Sequence, residues 1–300
     1  MKQTCNPPPT GMDHNLYQYQ ADSRRPGLLW PHGARIAVWP IIYLEYHEFA
    51  PPDDALQDPR FRGEFGDYRP DFRTTSRREY GNRVGIFRVL DTLRQFGIRG
   101  NVAANAMSLL RRPSLAAACV DAGHEICAHG IASNRMVSSR TPRSQELAWI
   151  IEAYGAVKSV SGVAPSGWIS QDFGQSTHTA NLLAEAGFAW LGDWPNDDCP
   201  YLLETHPQLV SIPYQVEWDD AHVMEVRKLP AWTWQDIAER AFRRLYDEGG
   251  RIFGIGLHPW VVGHPHRIRY LQRLLALVVG TPNVWIANGT EIARAFRASQ

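Results

Sequence analysis

The chain has 300 residues, and its 31 Lys and Arg balance 31 Asp and Glu to a formal net charge of zero. A nucleic-acid surface normally shows as a basic excess or cluster, and short runs such as Arg77-Arg78 and Arg243-Arg244 are too sparse for one. The length suits either a single α/β barrel or two smaller domains, and no apolar run reaches the length of a membrane span.

Residues 1–34 are rich in Pro and Gly and read as an irregular arm, either disordered or wrapped on a neighbouring subunit. The stretch 1–15 lacks the apolar core of a signal peptide, so a cytoplasmic location is expected. Cys5, Cys119, Cys127 and Cys199 form no CxxC pair and read as free thiols in a reducing compartment. A first apolar strand is expected at 36–43. The segment 49–80 has little apolar periodicity and reads as a long inserted loop.

A unit of amphipathic helix, glycine stop and short apolar strand then recurs. Ile86, Phe87, Leu90 and Leu93 make one helical face, Gly97 stops it, and 101–104 runs as a strand. The cadence returns at 119–123 before a strand at 124–128. A helix at 145–160 leads through Gly162 to a short segment at 167–169. Helix 182–186 and Gly187 precede strand 189–192, and helix 241–248 with Gly249-Gly250 precedes strand 252–257. Helix 268–279 leads to a last strand at 284–287. Nearly all-apolar strands alternating with helices mean a parallel sheet covered by helices. Seven or eight strands favour a closed or nearly closed barrel over a doubly wound sheet. The expected organisation is an arm, 1–34, and one (β/α) barrel domain, 35–300.

Active sites of parallel α/β folds sit at the C-terminal ends of the strands. The polar residues there are Glu45, His47 and Glu48 after the first strand, then Asn105, His129, Gln171-Asp172 beside Trp168, Asp193 with Trp194 and Asp197, His258 and Asn288. Glu45, His129 and His258 are the candidate catalytic set, because a carboxylate and two imidazoles on one rim suit acid–base hydrolysis. Asn105, Trp168, Asp193, Trp194 and Asp197 are candidate substrate contacts. Either histidine alone would read as a packed residue bonded to backbone, and Asp197-Asp198 reads equally well as a turn cap. His264 and His266 read as turn or rim residues. No G-x-S-x-G elbow, Walker loop or dinucleotide fingerprint is present.

The stretch from Ala122 through Gly130, A-G-H-E-I-C-A-H-G, resembles the polysaccharide deacetylases. Arg35 to Val38, Gly256-Leu257-His258-Pro259, Val284-Trp285 and Glu291-Ile292-Ala293 resemble their opening strand, late G-L-H motif and closing elements. Glu79-Tyr80-Gly81-Asn82-Arg83-Val84-Gly85 and Asn196-Asp197-Asp198-Cys199-Pro200-Tyr201 are most similar to the allantoinase-like branch. The resemblance, spanning 35–296, implies a distorted (β/α) barrel, homo-oligomerisation and hydrolysis of a carbon–nitrogen amide bond. The family's usual metal ligands are an Asp after the first strand and two His in H-x-x-x-H, with a second Asp as base. Here Glu45 replaces the ligand Asp, Ser133 stands where the second His belongs, Tyr43 stands at the base position, and the Arg that steadies the base is missing near Ala164–Trp168. Three protein ligands are the norm for an open catalytic metal site, so no metal cofactor is expected.

The first reading is a metal-independent hydrolase of a small amide, imide or ureide, with Glu45 or His129 activating water and His258 protonating the departing nitrogen. The second is an N-deacetylase of an acylated amino sugar holding one divalent metal such as zinc. The third is a binding protein on a decayed scaffold. The expected partner is a small-molecule amide, with no nucleic acid and no membrane.

Overall fold

A computed structural model describes residues 9–24, 27–56 and 70–300 of the chain. Residues 1–8, 25–26 and 57–69, parts of the arm and of the 49–80 segment, lie outside the described residues. The described part of the arm folds back on its own barrel: the Glu204 backbone N–H donates to Leu16 at 2.8 Å, and the Trp30 indole donates to the Arg251 carbonyl at 3.0 Å.

The sheet is built around β1 (Ile36–Leu44), whose nine residues are all buried. Its upper half pairs with β2 (Asn101–Ala104), its lower half with β9 (Val284–Ile286), and its other edge with β8 (Arg251–Leu257). Beyond β2 follow β3 (Glu125–Ala128), β4 (Gly167–Trp168), β5 (Trp190–Leu191) and β7 (Val210–Ser211), all parallel; β6 (Tyr201–Leu202) is antiparallel at the edge. Nine strands curl into a distorted, incompletely laddered barrel, against the expected seven or eight; β6 and β7 have two residues each, too short to show a period.

Proline is usually excluded from a central strand because it lacks the ladder N–H. Pro40 escapes the cost through register. The Val38 and Leu44 carbonyls both face the β9 and β2 side, accepting from Ala287 and Asn105. Pro40 shares that parity and falls where β1 passes from β9 to β2, so no ladder bond is lost. Gly100 lies there too, and a Cβ on it would come within 2.2 Å of the Pro40 carbonyl oxygen.

Alternation along the strands divides the core in two. Even-numbered β1 residues Ile36, Val38, Ile42 and Leu44 face the helices, while Trp39, Ile41 and Tyr43 face the interior with Ala103, Cys127, Ile169, Trp190 and Tyr214. The helix layer includes α2 (Ile86–Gln95), α5 (Arg143–Ser161), α7 (Ala231–Glu248) and α8 (Ile268–Gly280). In α2 the buried face is Ile86, Val89, Leu90 and Leu93; Phe87 is exposed instead, one step off the stripe. α7 starts ten residues before the expected 241, after Pro230, a favoured residue at a helix start. The expected 49–80 loop also contains helix α1 (Phe72–Tyr80), capped by the Asp71 carboxylate on the Thr74 N–H at 2.9 Å. A π-helical turn (Gly81–Gly85) joins α1 to α2. At the barrel floor, α9 (Gly289–Ala298) offers Thr290 to the Trp190 indole at 2.9 Å. Among the described residues, no helix is long and apolar enough to cross a membrane.

Between β7 and β8 the wall is made by side chains rather than a ladder. The Trp218 indole donates to the Gly254 carbonyl at 2.7 Å, and the Tyr214 ring lies against Gly254 and Gly256. A Cβ on Gly256 would meet the Tyr214 hydroxyl at 1.7 Å and an Asp219 carboxylate oxygen at 2.3 Å; at Gly254 the closest approach is 3.0 Å. Gly256→Ala is therefore expected to cost about 1–3 kcal/mol of stability by overpacking, and Gly254→Ala clearly less. Urea unfolding of the two variants measures the difference, and equal costs would contradict this account of the wall.

Candidate active site

The same alternation sends Tyr43, Glu45, His129 and His258 to the interior side at the C-terminal ends of β1, β3 and β8. Tyr43 ties them together. Its ring stacks on His258 with centroids 4.2 Å apart and planes 7° from parallel, and meets His129 edge-on at 5.3 Å. The two histidines, 129 positions apart in the chain, thus flank one phenol ring.

Their ring nitrogens have different partners. His129 Nδ1 lies 2.7 Å from the Ile169 carbonyl, which only accepts, so Nδ1 carries the hydrogen and Nε2 keeps its lone pair. Burial pushes His129 down to about 4, with Glu45 and the Ile169 carbonyl opposing, so the ring is neutral near pH 7. His258 Nδ1 lies 2.6 Å from Asp220 Oδ1 and 3.6 Å from Asp219 Oδ2, and its backbone N–H also donates to Asp220 at 2.9 Å. Burial alone would favour the neutral ring, but the Asp219 and Asp220 carboxylates outweigh it and raise His258 to about 9. Asp220 is pushed up by burial to about 6, with the His258 charge opposing. Asp219 accepts from the Tyr214 hydroxyl, and from the His222 N–H at 2.8 Å.

Glu45 has its oxygens engaged. The Arg78 guanidinium donates to both, at 3.0 and 3.2 Å, and the Trp260 indole donates to one at 2.8 Å. Burial would raise this carboxyl, but Arg78, then His258 and His129, and the Trp260 bond hold it at about 2. Arg78 Cζ also sits 3.8 Å over the Trp260 ring, and Asn82 donates to the Glu45 carbonyl at 2.7 Å.

The remaining sequence candidates have other surroundings. Asn105 is fully buried and bonds protein: its carbonyl accepts from the Tyr46 N–H at 2.8 Å and the Ser133 hydroxyl at 2.9 Å, and its amide donates to the His129 carbonyl. It ties the loops carrying Glu45 and His129 to each other. Asp193 accepts from the Ser170 N–H at 2.7 Å and from Gln175, and burial raises it to about 6. Trp168 has the outward parity on β4; it packs edge-on against Phe188 at 5.7 Å in the helix-side core, and its indole donates to Ser170 at 2.9 Å. Trp194 packs at 5.6 Å against Tyr17 of the arm. Asp197 accepts from the backbone N–H groups of Asp198 and Cys199 at 2.7 and 3.0 Å, the turn-cap alternative of the sequence reading.

Sequence reasoning passed over Asp219, Asp220, Tyr214 and Arg78. The first three lie on a segment without regular period, and Arg78 lay in the presumed loop. The Asp-Asp pair directly after Trp218 was the one available signal.

The family's metal does not fit this residue set. A ligand carboxylate needs lone pairs to give, and those of Glu45 already face Arg78 and Trp260. The Ser133 hydroxyl donates to Asn105, and a neutral hydroxyl is a poor substitute for imidazole at zinc. Among the described residues, Asp219, Asp220 and His258 bring ligand-type atoms within 4.8 Å of one another. Their 2.6 Å Nδ1–Oδ1 separation is that of a hydrogen bond. Two ligands bound at about 2.0 Å around a tetrahedral ion would stand roughly 3.3 Å apart.

Comparison with known proteins agrees with this architecture. Residues 79–190 match the polysaccharide deacetylase family model. A Schizosaccharomyces pombe protein named "Putative polysaccharide deacetylase" is 28% identical over 248 residues, 73% of this chain and 75% of its own. The crystal structure of PuuE allantoinase superposes with a TM-score of 0.82 at 28% identity, covering 94% of this chain and 99% of that one. A Pseudomonas aeruginosa PAO1 structure named "probable Polysaccharide deacetylase" gives 0.80 at 27% identity, covering 90% and 94%. Residues 79–190 thus resemble the polysaccharide deacetylases, and the chain shares the distorted (β/α) barrel of its structural neighbours, PuuE allantoinase among them.

Proposed function

We propose that the protein hydrolyses a carbon–nitrogen bond of a small, cyclic or linear amide, imide or ureide without a catalytic metal. The observation that carries this reading is the pairing of a neutral imidazole with a protonated one across Tyr43. Hydrolysis of an amide needs a base for water and an acid for the departing nitrogen. His129 supplies the first: its Nε2 lone pair takes a proton as the water oxygen attacks the carbonyl carbon. His258 supplies the second: it donates a proton to the nitrogen as the C–N bond breaks, leaving a carboxylic acid and an amine or amide. Both return to their starting states by exchanging one proton with solvent.

Glu45 was the alternative base in the sequence reading. A carboxylate held at about 2 and already accepting from Arg78 and Trp260 has little affinity for a proton at neutral pH, so His129 is preferred. The likeness to PuuE allantoinase over nearly the full length of both chains supports a ureide or imide substrate. The deacetylase names of other relatives favour a second reading, an acylated amino sugar. A hydrolysis screen of cyclic ureides, imides, hydantoins and acylated amino sugars on metal-stripped protein separates them. Turnover of ureides or imides is the expected result; turnover confined to acylated sugars and dependent on added zinc would sink the first reading.

His258→Ala is expected to lower kcat by about a hundred- to ten-thousand-fold with the fold intact. His258→Gln should do little better, because an amide orients a substrate but delivers no proton. If His258 only packs, the Ala variant will lose stability and keep its turnover per folded molecule.

The pH profile follows from the same two rings. kcat/KM should rise as His129 loses its proton near pH 4 and fall as His258 loses its proton near pH 9. Asp220→Asn removes one of the carboxylates that hold the His258 proton, so the alkaline limb should retreat toward about 6.5, the ordinary histidine value. Proton NMR of the imidazole C2–H reads the same midpoint without substrate. An unmoved midpoint would remove Asp220 from this role.

A further inference from the structure

A carboxylate that has lost its metal still needs a positive charge if it stays buried. In this chain the charge comes from the helix that follows the first strand. Arg78 lies two residues before the end of α1 and reaches Glu45 with one nitrogen, 3.0 and 3.2 Å from its two oxygens. Three further contacts frame the pair, one on Arg78 and two on Glu45. Its guanidinium carbon lies 3.8 Å over the Trp260 ring, and the Trp260 indole itself bonds Glu45. Asn82, in the next turn, holds the Glu45 carbonyl at 2.7 Å. The π-helical turn is pressed onto the β8 exit: a Cβ on Gly81 would come within 2.7 Å of the Trp260 backbone nitrogen, and one on Gly85 within 2.0 Å of the Pro259 carbonyl oxygen. Neighbouring Arg77 is bound to the Glu225 carboxylate, which also holds Arg267 at 3.1 Å. The α1 helix is therefore anchored at both of its last arginines, and Arg78 is a built part of the corner.

We propose that Arg78 is the resident cation of this site, occupying on Glu45 the charge-compensating place that a divalent ion takes in the deacetylases, and that this guanidinium keeps the corner from binding a metal. The proposal rests on the metal-independent reading above and explains it physically. A divalent ion would have to approach Glu45 to about 2.0–2.2 Å against a guanidinium already at hydrogen-bond distance, in a setting with little water to screen the repulsion. Loss of the imidazole at Ser133 is then a second barrier, and restoring it alone is not enough.

The test reads metal uptake without substrate, so it stands or falls separately from any hydrolysis screen. Untagged wild type, Ser133→His, Arg78→Ala/Ser133→His, and the last combined with Glu45→Gln are stripped with chelator. Each is then equilibrated with Co2+ by dialysis and followed by visible absorption and melting temperature. The expected result is that Ser133→His gains no Glu45-dependent ion. Arg78→Ala/Ser133→His gains one equivalent with a raised melting temperature, and Glu45→Gln abolishes the gain. Uptake of a Glu45-dependent equivalent by wild type or by Ser133→His alone would overturn the proposal. So would a folded Arg78→Ala/Ser133→His protein that takes up none. If alanine at 78 prevents folding, Arg78→Met, which keeps the packing on Trp260 and removes the charge, is judged by the same outcomes.

Discussion

Charge buried at the mouth of the barrel is the constraint on which the rest of the site depends. Taking a carboxylate out of water is costly unless an opposite charge and hydrogen bonds replace the lost solvation. Two such groups stand at neighbouring strand ends: Glu45 after β1 and Asp220 beside the end of β8. Each has its own cation, Arg78 for the first and the His258 imidazolium for the second. The irregular features around them serve those pairings. The π-helical turn lays α1 on Trp260, and the laddered wall gives way to Tyr214 and Asp219 against Gly256.

The chemical capacity of the site comes from the inequality of its histidines. His129 is buried and His258 mostly so, and desolvation alone would neutralise both. A carbonyl at Nδ1 fixes the tautomer of His129 and supports a charge too weakly to offset burial, whereas two carboxylates at Nδ1 supply the charge that keeps His258 protonated. One fold thus presents a proton acceptor and a proton donor on either side of Tyr43 at the same pH. Neither role is intrinsic to histidine. The partner across each Nδ1 assigns it.

That dependence explains what was legible in the sequence. Glu45, His129 and His258 could be found because each follows an apolar strand with a clear period, and strand parity carries them inward. Asn105 was found by the same rule, but its amide is spent on loop backbone, which parity does not reveal. Trp168 sits on a two-residue strand, where parity could not be read, and it faces the helices. The residues that set protonation, Asp219, Asp220 and Arg78, lie where backbone direction is decided by tertiary contacts. Arg78 was hidden because α1 is polar along most of its length and has no buried residues. A helix without an apolar stripe looks like a loop until the carboxylate it serves is seen.

Tyr43 and Arg78 are best understood as two halves of one charge balance. The polysaccharide deacetylase pattern that the sequence resembles puts two acidic side chains at the end of the first strand and offsets them with a divalent ion. Here the position of the base carries a neutral phenol, and the remaining carboxylate, Glu45, meets a single guanidinium. An aspartate at 43 would stand beside Glu45 and near Asp219, with Arg78 and His258 as the compensating cations among the described residues, and like charges at that range raise one another's affinity for protons. Replacing the acid by a ring removes that repulsion and gives His258 a flat surface to stack on. On the metal-independent reading, the phenol at 43 and the guanidinium of Arg78 therefore belong together electrostatically. Replacing either one alone leaves the corner with unbalanced charge.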